Sequence, residues 1–122
     1  MTRLYLPATL VLLAELDAGS RVDTVEAFVA ADDSEESEYA ALVAAAEGSA
    51  QLVTGLGTGL RRRVVVVAEV PAEGAAEPDA IGIDDVVAVH ADPADLGPGG
   101  ADPDDDLGWY ATQEIPDLLR ET

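Results

Sequence analysis

Arg61-Arg62-Arg63-Val64-Val65-Val66-Val67-Ala68-Glu69-Val70-Pro71 contains four consecutive valines, and this stretch decides the fold. Branching at Cβ restricts the valine side chain in a helix and suits the pleated surface of a strand. Because the apolar run is unbroken rather than alternating, we expect both faces of the strand to be covered. The stretch therefore predicts the central strand of a sheet with helices packed on it.

Strand and helix patterns precede this central strand. A short apolar run at 3–6 predicts a first strand that ends at Pro7. A first helix is predicted at 10–16 with Thr9 as its N-cap, and we expect it to be well buried because it is apolar nearly all round. Partial alternation of apolar and polar residues at 24–30 predicts a second strand.

A second helix has the clearest local signals in the chain. Asp33 or Ser34 is expected to cap it, and the glutamates that follow suit the positive end of the helix dipole. We expect Gly55 to end it. Its apolar face is predicted from the residues that recur at helical spacing, which are Tyr39, Leu42, Val43, Ala46, Ala50 and Val53.

After the central strand, 86–91 predicts a further strand, with a short pairing segment at 81–83. Helical spacing at 107–115 predicts a last short helix, which Pro116 kinks or ends. The element order is then β-α-β-α-β-β-α, and strand–helix–strand units nearly always join parallel strands by right-handed crossovers. We therefore expect a single domain over 1–122 of the α/β or α+β class. Its sheet should be four-stranded and mostly parallel or mixed, with helices packed on it.

The charge of the chain bounds its partners. It has 25 acidic residues against 6 basic ones, a net charge of −19 at pH 7, and every basic residue is arginine. Such a field repels phosphates and anionic lipids, which excludes nucleic acid and membranes as expected partners. Two explanations stay open: an acidic surface for a high-salt cytoplasm, or the codon bias of a GC-rich genome. A cationic partner protein is the functional alternative.

Composition also limits the chemistry and the location. The chain has no cysteine, so it has no disulfide framework and no thiolate metal site, and we expect no cofactor. No apolar run approaches the ~20 residues that span a bilayer. The apolar run after Arg3 is not followed by a clean signal-peptide cleavage site. The sequence therefore predicts a soluble, cytoplasmic protein.

An acidic segment rich in proline and glycine, at about 92–106, is predicted to be a mobile loop. Asp102, Asp104 and Asp106 match the first, third and fifth positions of a calcium-binding loop. The glycine that such a loop needs at its sixth position is replaced by Leu107. A solvated acidic loop is thus favoured over a metal site, and these aspartates stay weak candidates.

Polar and aromatic residues near the ends of several elements form a candidate pocket. His90, the only histidine, lies at the end of a predicted strand, and alternation points it the same way as Asp92. Core packing and helix boundaries are the competing explanation for these residues. The full candidate set is Tyr5, Thr9, Glu38, Tyr39, His90, Asp92, Trp109, Tyr110, Gln113 and Glu114.

The only basic cluster is Arg61, Arg62 and Arg63. It offers a grip for a carboxylate or phosphate, but three adjacent residues on a strand alternate faces, so at most two converge. Solvated side chains that relieve the local acidity are therefore the favoured interpretation.

Several segments together resemble a known family: Tyr5-Leu6-Pro7-Ala8-Thr9, Glu38-Tyr39-Ala40-Ala41-Leu42, Arg62-Arg63-Val64-Val65-Val66-Val67-Ala68-Glu69-Val70-Pro71, Val86-Val87-Ala88-Val89-His90-Ala91-Asp92 and Trp109-Tyr110-Ala111-Thr112-Gln113-Glu114. The chain resembles an uncharacterised family of small actinobacterial proteins. The resemblance implies a single-domain cytoplasmic protein from a GC-rich bacterium and favours genome composition as the source of the charge. It implies no activity, substrate or catalytic residue.

Two functional hypotheses follow. The absence of a recognisable catalytic motif and the one-sided charge favour a non-catalytic interaction or regulatory protein, which acts as an adaptor or a homo-oligomer. The alternative is a small enzyme or ligand-binding protein with a polar pocket around His90 and the predicted helix at 109–114.

Overall fold

The computed structural model describes residues 2–23, 26–30, 32, 34–54, 61–70, 80–92 and 107–120. Short 3-10 helices at Ile83–Asp85 and Thr112–Glu114 accompany the main elements. In chain order the main elements are β1 (Thr2–Ala8), α1 (Leu10–Asp17), β2 (Val22–Asp23), β3 (Phe28–Val29), α2 (Glu35–Val53), β4 (Val64–Val70), β5 (Ala80–Ile81), β6 (Val86–Ala91), β7 (Gly108–Ala111) and α3 (Ile115–Arg120).

The valine run forms β4, the middle strand of a five-stranded sheet with the order β3-β1-β4-β6-β7. Val64 and Val66 enter the core on one face, whereas Val65 and Val67 enter the core on the other. All four valines are at most 4% exposed. The prediction of a central strand covered on both faces is confirmed.

Helices cover both faces of this sheet and make three layers. The core on one face, here called the first core, includes leucines of α1 and both Ile115 and Leu118 of α3. The core on the other face, here called the second core, places Ala41 and Ala45 of α2 against Tyr5 of β1. The predicted combination of one sheet with helices packed on it is therefore confirmed as a mixed α and β fold.

The prediction of a four-stranded, mostly parallel or mixed sheet is wrong in strand number and in strand direction. Every described strand pair is antiparallel, including β1 with β3, β1 with β4, β4 with β6 and β6 with β7. β3, α2 and β4 still form a strand–helix–strand unit with parallel strands, because β3 and β4 both run antiparallel to β1. β1 lies between them, so this is a split β-α-β unit whose parallel strands never pair.

Two predicted strands also differ in detail. Within 24–30 the structure has only the two-residue β3, while β2 lies just before that range and residues 24–25 are outside the described part. The pairing segment predicted at 81–83 exists as β5, which pairs with β2 to form a separate two-stranded sheet. The strand predicted at 86–91 is confirmed as β6.

The helix predicted at 107–115 is wrong. Residues 108–111 form β7, the last strand of the main sheet, and α3 begins only at Ile115. Pairing with β6 overrides the helical spacing of the apolar residues. Pro116 does not end this helix but lies in its first turn, where the missing N–H has no intrahelical partner in any case.

The faces of α1 and α2 were only partly predictable. Thr9 and Ser34 are the N-caps, as predicted. In α1, Val11 is 52% exposed, so the helix is not buried all round. In α2 the buried residues are Ala41, Ala45, Ser49 and Val53. The predicted face is therefore only partly right: Val53 is buried and Leu42 and Ala46 pack against the second core, whereas Tyr39 and Val43 are exposed. Small side chains every four residues let α2 approach the bulky residues of the second core closely.

Candidate functional site

The end of the main sheet where β4 begins and β6 ends carries a charged cluster. Val64 and Ala91 are partners in the antiparallel register of β4 and β6. The residues next to them, Arg63 and Asp92, must therefore meet just beyond the ladder. The main-chain N–H of Asp92 donates to the carbonyl of Arg63 at 3.1 Å and extends the pairing by one bond.

Arg63 and Asp92 form a buried, bidentate ion pair. The Nε of Arg63 donates to Oδ2 of Asp92 at 2.9 Å, and its Nη2 donates to Oδ1 at 2.7 Å. The main-chain N–H of Arg63 also donates to Oδ2, at 2.8 Å. The two residues are 4% and 3% exposed. Each charge is thus neutralised by the other in the geometry that guanidinium and carboxylate prefer.

Arg62 is buried beside this pair and is differently satisfied. Its Nε donates to the main-chain carbonyl of Asp92 at 2.7 Å, and the residue is 3% exposed. Its Nη2 is fully buried and has no hydrogen-bond partner among the described residues. Counting only the described residues buried here, two arginines and one aspartate give a surplus of one positive charge.

The prediction that Arg62 and Arg63 are solvated is therefore wrong, and Asp92, the first residue of the predicted acidic loop, is buried. Charge runs are usually solvated, but these residues adjoin strands that are covered on both faces. The residues that flank the strand ends are buried as well. The ion pair between Arg63 and Asp92 offsets the cost of removing both charges from water. The rest of the predicted acidic loop, with Asp102, Asp104 and Asp106, lies outside the described residues.

His90 and Trp109 lie side by side on two neighbouring strands next to the cluster. They are register partners in β6 and β7. Trp109 is 61% exposed, whereas His90 is half-buried. Burial lowers the pKa of His90 below the usual 6.5, and no charged group among the described residues contributes to that shift. The imidazole is thus neutral at pH 7, and both oxygens of Asp92 are engaged by Arg63.

A second polar group lies at the opposite end of β1. Arg3 bridges Glu38 of α2 at 2.8 Å and Glu69 of β4 at 2.9 Å. Tyr5 lies beneath α2, and burial raises the pKa of its phenol despite a hydrogen bond from Arg3. The Arg3 side chain is 43% exposed, so these ion pairs contribute little stability.

The other members of the predicted pocket are spread over the molecule. The Thr9 hydroxyl accepts from the N–H of Leu12 and begins α1. Glu114 accepts from the N–H of Ala111 at 3.1 Å and closes the turn after β7. Three further candidates have these positions: Tyr39 is 59% exposed on α2, Tyr110 packs against the first core, and Gln113 is exposed in a 3-10 helix.

The structure also contains a functional group that the sequence patterns missed. Ser49 is fully buried in α2, where its hydroxyl donates to the carbonyl of Ala8 at 2.7 Å and accepts from the N–H of Val64 at 2.8 Å. Its place in the series Ala41, Ala45 and Ser49, spaced four residues apart, was the available signal. Ser49 thereby ties α2 to the strand ends next to the arginine cluster.

Two classes of site are not found in the described part of the chain. It contains no group of three or more His, Cys, Asp or Glu side chains placed to hold a metal ion. None of its helices combines the length and apolarity needed to cross a membrane.

Comparison with known proteins gives one informative match. No curated protein and no solved structure matched the chain. Nearly the whole sequence, residues 2–119, matches a family of unknown function, DUF6912. This match confirms the predicted resemblance to an uncharacterised family, and the chain belongs to DUF6912.

Proposed function

We propose that the protein is a small, non-catalytic interaction or regulatory protein that binds a partner protein along β7. The observation that carries the proposal is the indole of Trp109, which is 61% exposed although it belongs to a strand of the main sheet. Burying an exposed indole contributes a large apolar area, and tryptophan is enriched where interfaces concentrate their binding energy.

The position of β7 supports the same surface. β7 is the outermost strand on its side of the sheet, and within the described residues it pairs only with β6. No described residue pairs with its outer N–H and C=O groups, so an extended segment of another chain would add a strand to the sheet there. The indole of Trp109 would then supply apolar contact beside main-chain hydrogen bonds.

The charge of the chain favours a partner of opposite sign. At −19, two copies of this protein repel each other, whereas a basic partner is attracted and guided to the surface. Because burial lowers the pKa of His90, the residue beside Trp109 is neutral at pH 7 and adds no repulsion to such a partner. An adaptor for a basic protein is thus favoured over a homo-oligomer.

A small enzyme or ligand-binding protein with a pocket at His90 is the second candidate. The pairing of His90 with Trp109 favours it, because an imidazole and an indole lie together next to the buried arginines. Glu114, however, is occupied at the turn after β7, and Tyr110 packs on the other face of the sheet.

We propose a cytoplasmic location on the sequence alone.

The proposal is tested by placing a photoreactive amino acid at position 109 and, as a matched control, at position 39. Tyr39 is an aromatic residue of similar exposure, at 59%, but lies on α2. In cells of the native host, we expect a discrete adduct from position 109 that position 39 does not give. Identical adducts from both positions, or none from a reactive probe at 109, would contradict the proposal.

Purified protein gives an independent readout. Trp109 is the only tryptophan, so its fluorescence reports directly on this surface. Adding the partner protein that cross-linking identifies should shift the tryptophan emission to shorter wavelength, because the indole leaves water. A cross-linked adduct of two copies of the chain, together with a dimer by light scattering, would indicate self-association instead of binding to a basic partner.

A further inference from the structure

We propose that Arg62, two residues before β4, holds a small, singly charged oxyanion of the carboxylate class at the end of the main sheet. The proposal concerns a ligand site and is independent of partner binding at β7. It rests on the Nη2 atom of Arg62, which is fully buried and has no hydrogen-bond partner among the described residues.

An unpaired guanidinium nitrogen is unusual in a buried position. Arginine stays protonated in proteins and carries five N–H donors in one plane. Buried donors are nearly always paired, because an unpaired one has given up water without replacement, and the penalty is larger for a charged group. Arg62 is only 3% exposed, so solvent around the side chain does not account for its charge.

The neighbouring charges do not compensate Arg62. Both carboxylate oxygens of Asp92 accept hydrogen bonds from Arg63, and this pair is neutral as a unit. Asp92 offers Arg62 only its main-chain carbonyl, which the Nε occupies. Among the described residues no carboxylate forms an ion pair with Arg62. Within the described part of the chain, the site therefore lacks one negative charge and an acceptor for Nη2.

These two deficits specify the ligand class. One monovalent anion neutralises the cluster, whereas a dianion would leave a surplus negative charge in a poorly solvated place. A carboxylate is also planar and matches the edge of a guanidinium in parallel hydrogen bonds. Arg62 precedes the first residue of β4, so the site lies at an end of the sheet rather than at its centre.

The overall charge of the chain makes such binding easy to recognise. At −19 the protein repels anions from most of its surface, so weak, non-specific anion binding is suppressed. Any salt will nevertheless stabilise the fold by screening self-repulsion. Saturable binding of an anion at constant ionic strength therefore isolates a specific site from this general effect.

The experiment is a titration of the full chain with formate, acetate and sulfate at constant ionic strength, balanced with sodium chloride. Calorimetry and thermal melts are the readouts. We expect one equivalent of formate or acetate to bind saturably and to raise the midpoint above the chloride control, while sulfate binds at least tenfold more weakly.

Two variants locate the site. Arg62→Gln should weaken formate binding at least tenfold, whereas Arg61→Gln, which removes the same charge one residue away, should change it less than twofold. Equal loss in both variants would overturn the assignment to Arg62. The titration of the unmodified chain stands even if a variant fails to fold: equal effects of formate and chloride would overturn the site, and equal affinity for sulfate would overturn the carboxylate class.

Discussion

The hydroxyl of Ser49 should be the single polar atom of α2 on which stability depends most. It lies between the carbonyl of Ala8 and the N–H of Val64, to which it is joined by hydrogen bonds of 2.7 and 2.8 Å. Ala8 and Val64 are the last register partners of β1 and β4, and both residues are 0% exposed. The hydroxyl therefore completes the ladder where water does not reach it.

Ser49→Ala removes both hydrogen bonds and leaves one buried donor and one buried acceptor without partners. Each such group costs about 1–3 kcal/mol when it is left unsatisfied, so the gross loss for the two groups is roughly 2–6 kcal/mol. Alanine is the better helix former, which offsets about 0.5 kcal/mol. We therefore expect a net loss of about 1.5–5.5 kcal/mol, a large fraction of the ~5–15 kcal/mol that stabilises a typical domain.

Urea unfolding followed by circular dichroism is the suitable assay, because Trp109 is 61% exposed and its fluorescence will change little on unfolding. Ser37→Ala makes the same substitution in the first turn of α2, where the side chain is not buried, and should stay within ~0.5 kcal/mol of the wild type. A loss below ~1 kcal/mol for Ser49→Ala would refute the reasoning, because the two strand ends would then satisfy each other without the hydroxyl.

Two further predictions concern glycines and one concerns the histidine. Gly19 has a φ of +100°, and an added Cβ would meet nothing within 4 Å, so Gly19→Ala should cost ~1–2 kcal/mol in urea unfolding through backbone strain alone. A Cβ at Gly48 would lie 3.0 Å from Cγ of Pro7. Gly48→Ala should therefore not show the ~1 kcal/mol of stabilisation that alanine normally brings when it replaces glycine in a helix. An increase of the full ~1 kcal/mol in the free energy of unfolding in urea would contradict this contact. Burial lowers the pKa of His90 below 6.5, so the unfolded chain takes up the proton first and the stability due to this residue is lost as the pH falls from 6.5 towards the folded-state pKa. Thermal melts between about pH 7.5 and 5 should therefore show wild type losing stability relative to His90→Gln, and parallel profiles would exclude the effect.

The central strand was predictable because its signal is local. Four adjacent β-branched residues disfavour a helix wherever they occur, and an unbroken apolar run requires cover on both faces. Val64 to Val67 meet both conditions in the structure. The caps Thr9 and Ser34 were predictable for the same reason, since each hydroxyl accepts from an N–H three residues later.

The order of the strands in the sheet was not predictable, because it depends on which strands pair with each other. β3, α2 and β4 form a strand–helix–strand unit in which the two strands are parallel. β1 lies between these strands, however, and pairs antiparallel with each of them. The helical spacing at 107–115 likewise gave no sign that residues 108–111 find a partner in β6. A local pattern carries no information on a partner that is distant in sequence.

The buried face of α2 shows the same limit at the level of side chains. The helix is apolar or small at most positions between Ala40 and Ala46, so spacing alone allows more than one face to be buried. The choice is made by the sheet, where Tyr5, Val65 and Val67 already fill the space beneath the helix. Alanine every fourth residue fits against them, and the larger Tyr39 is left in solvent.

The arginine cluster was mispredicted because its residues were considered one at a time. Arginine is usually exposed, and so is aspartate, so Arg63 and Asp92 each favoured a solvated position. Burial became possible only through their bidentate pairing across the ends of β4 and β6, which joins residues 29 positions apart in sequence. That pairing occupies both oxygens of the carboxylate, and the buried Nη2 of Arg62 finds no hydrogen-bond partner in the described part of the chain. The positive charge of Arg62, which the pair of Arg63 and Asp92 does not neutralise, is the basis for the ligand proposed at this end of the sheet.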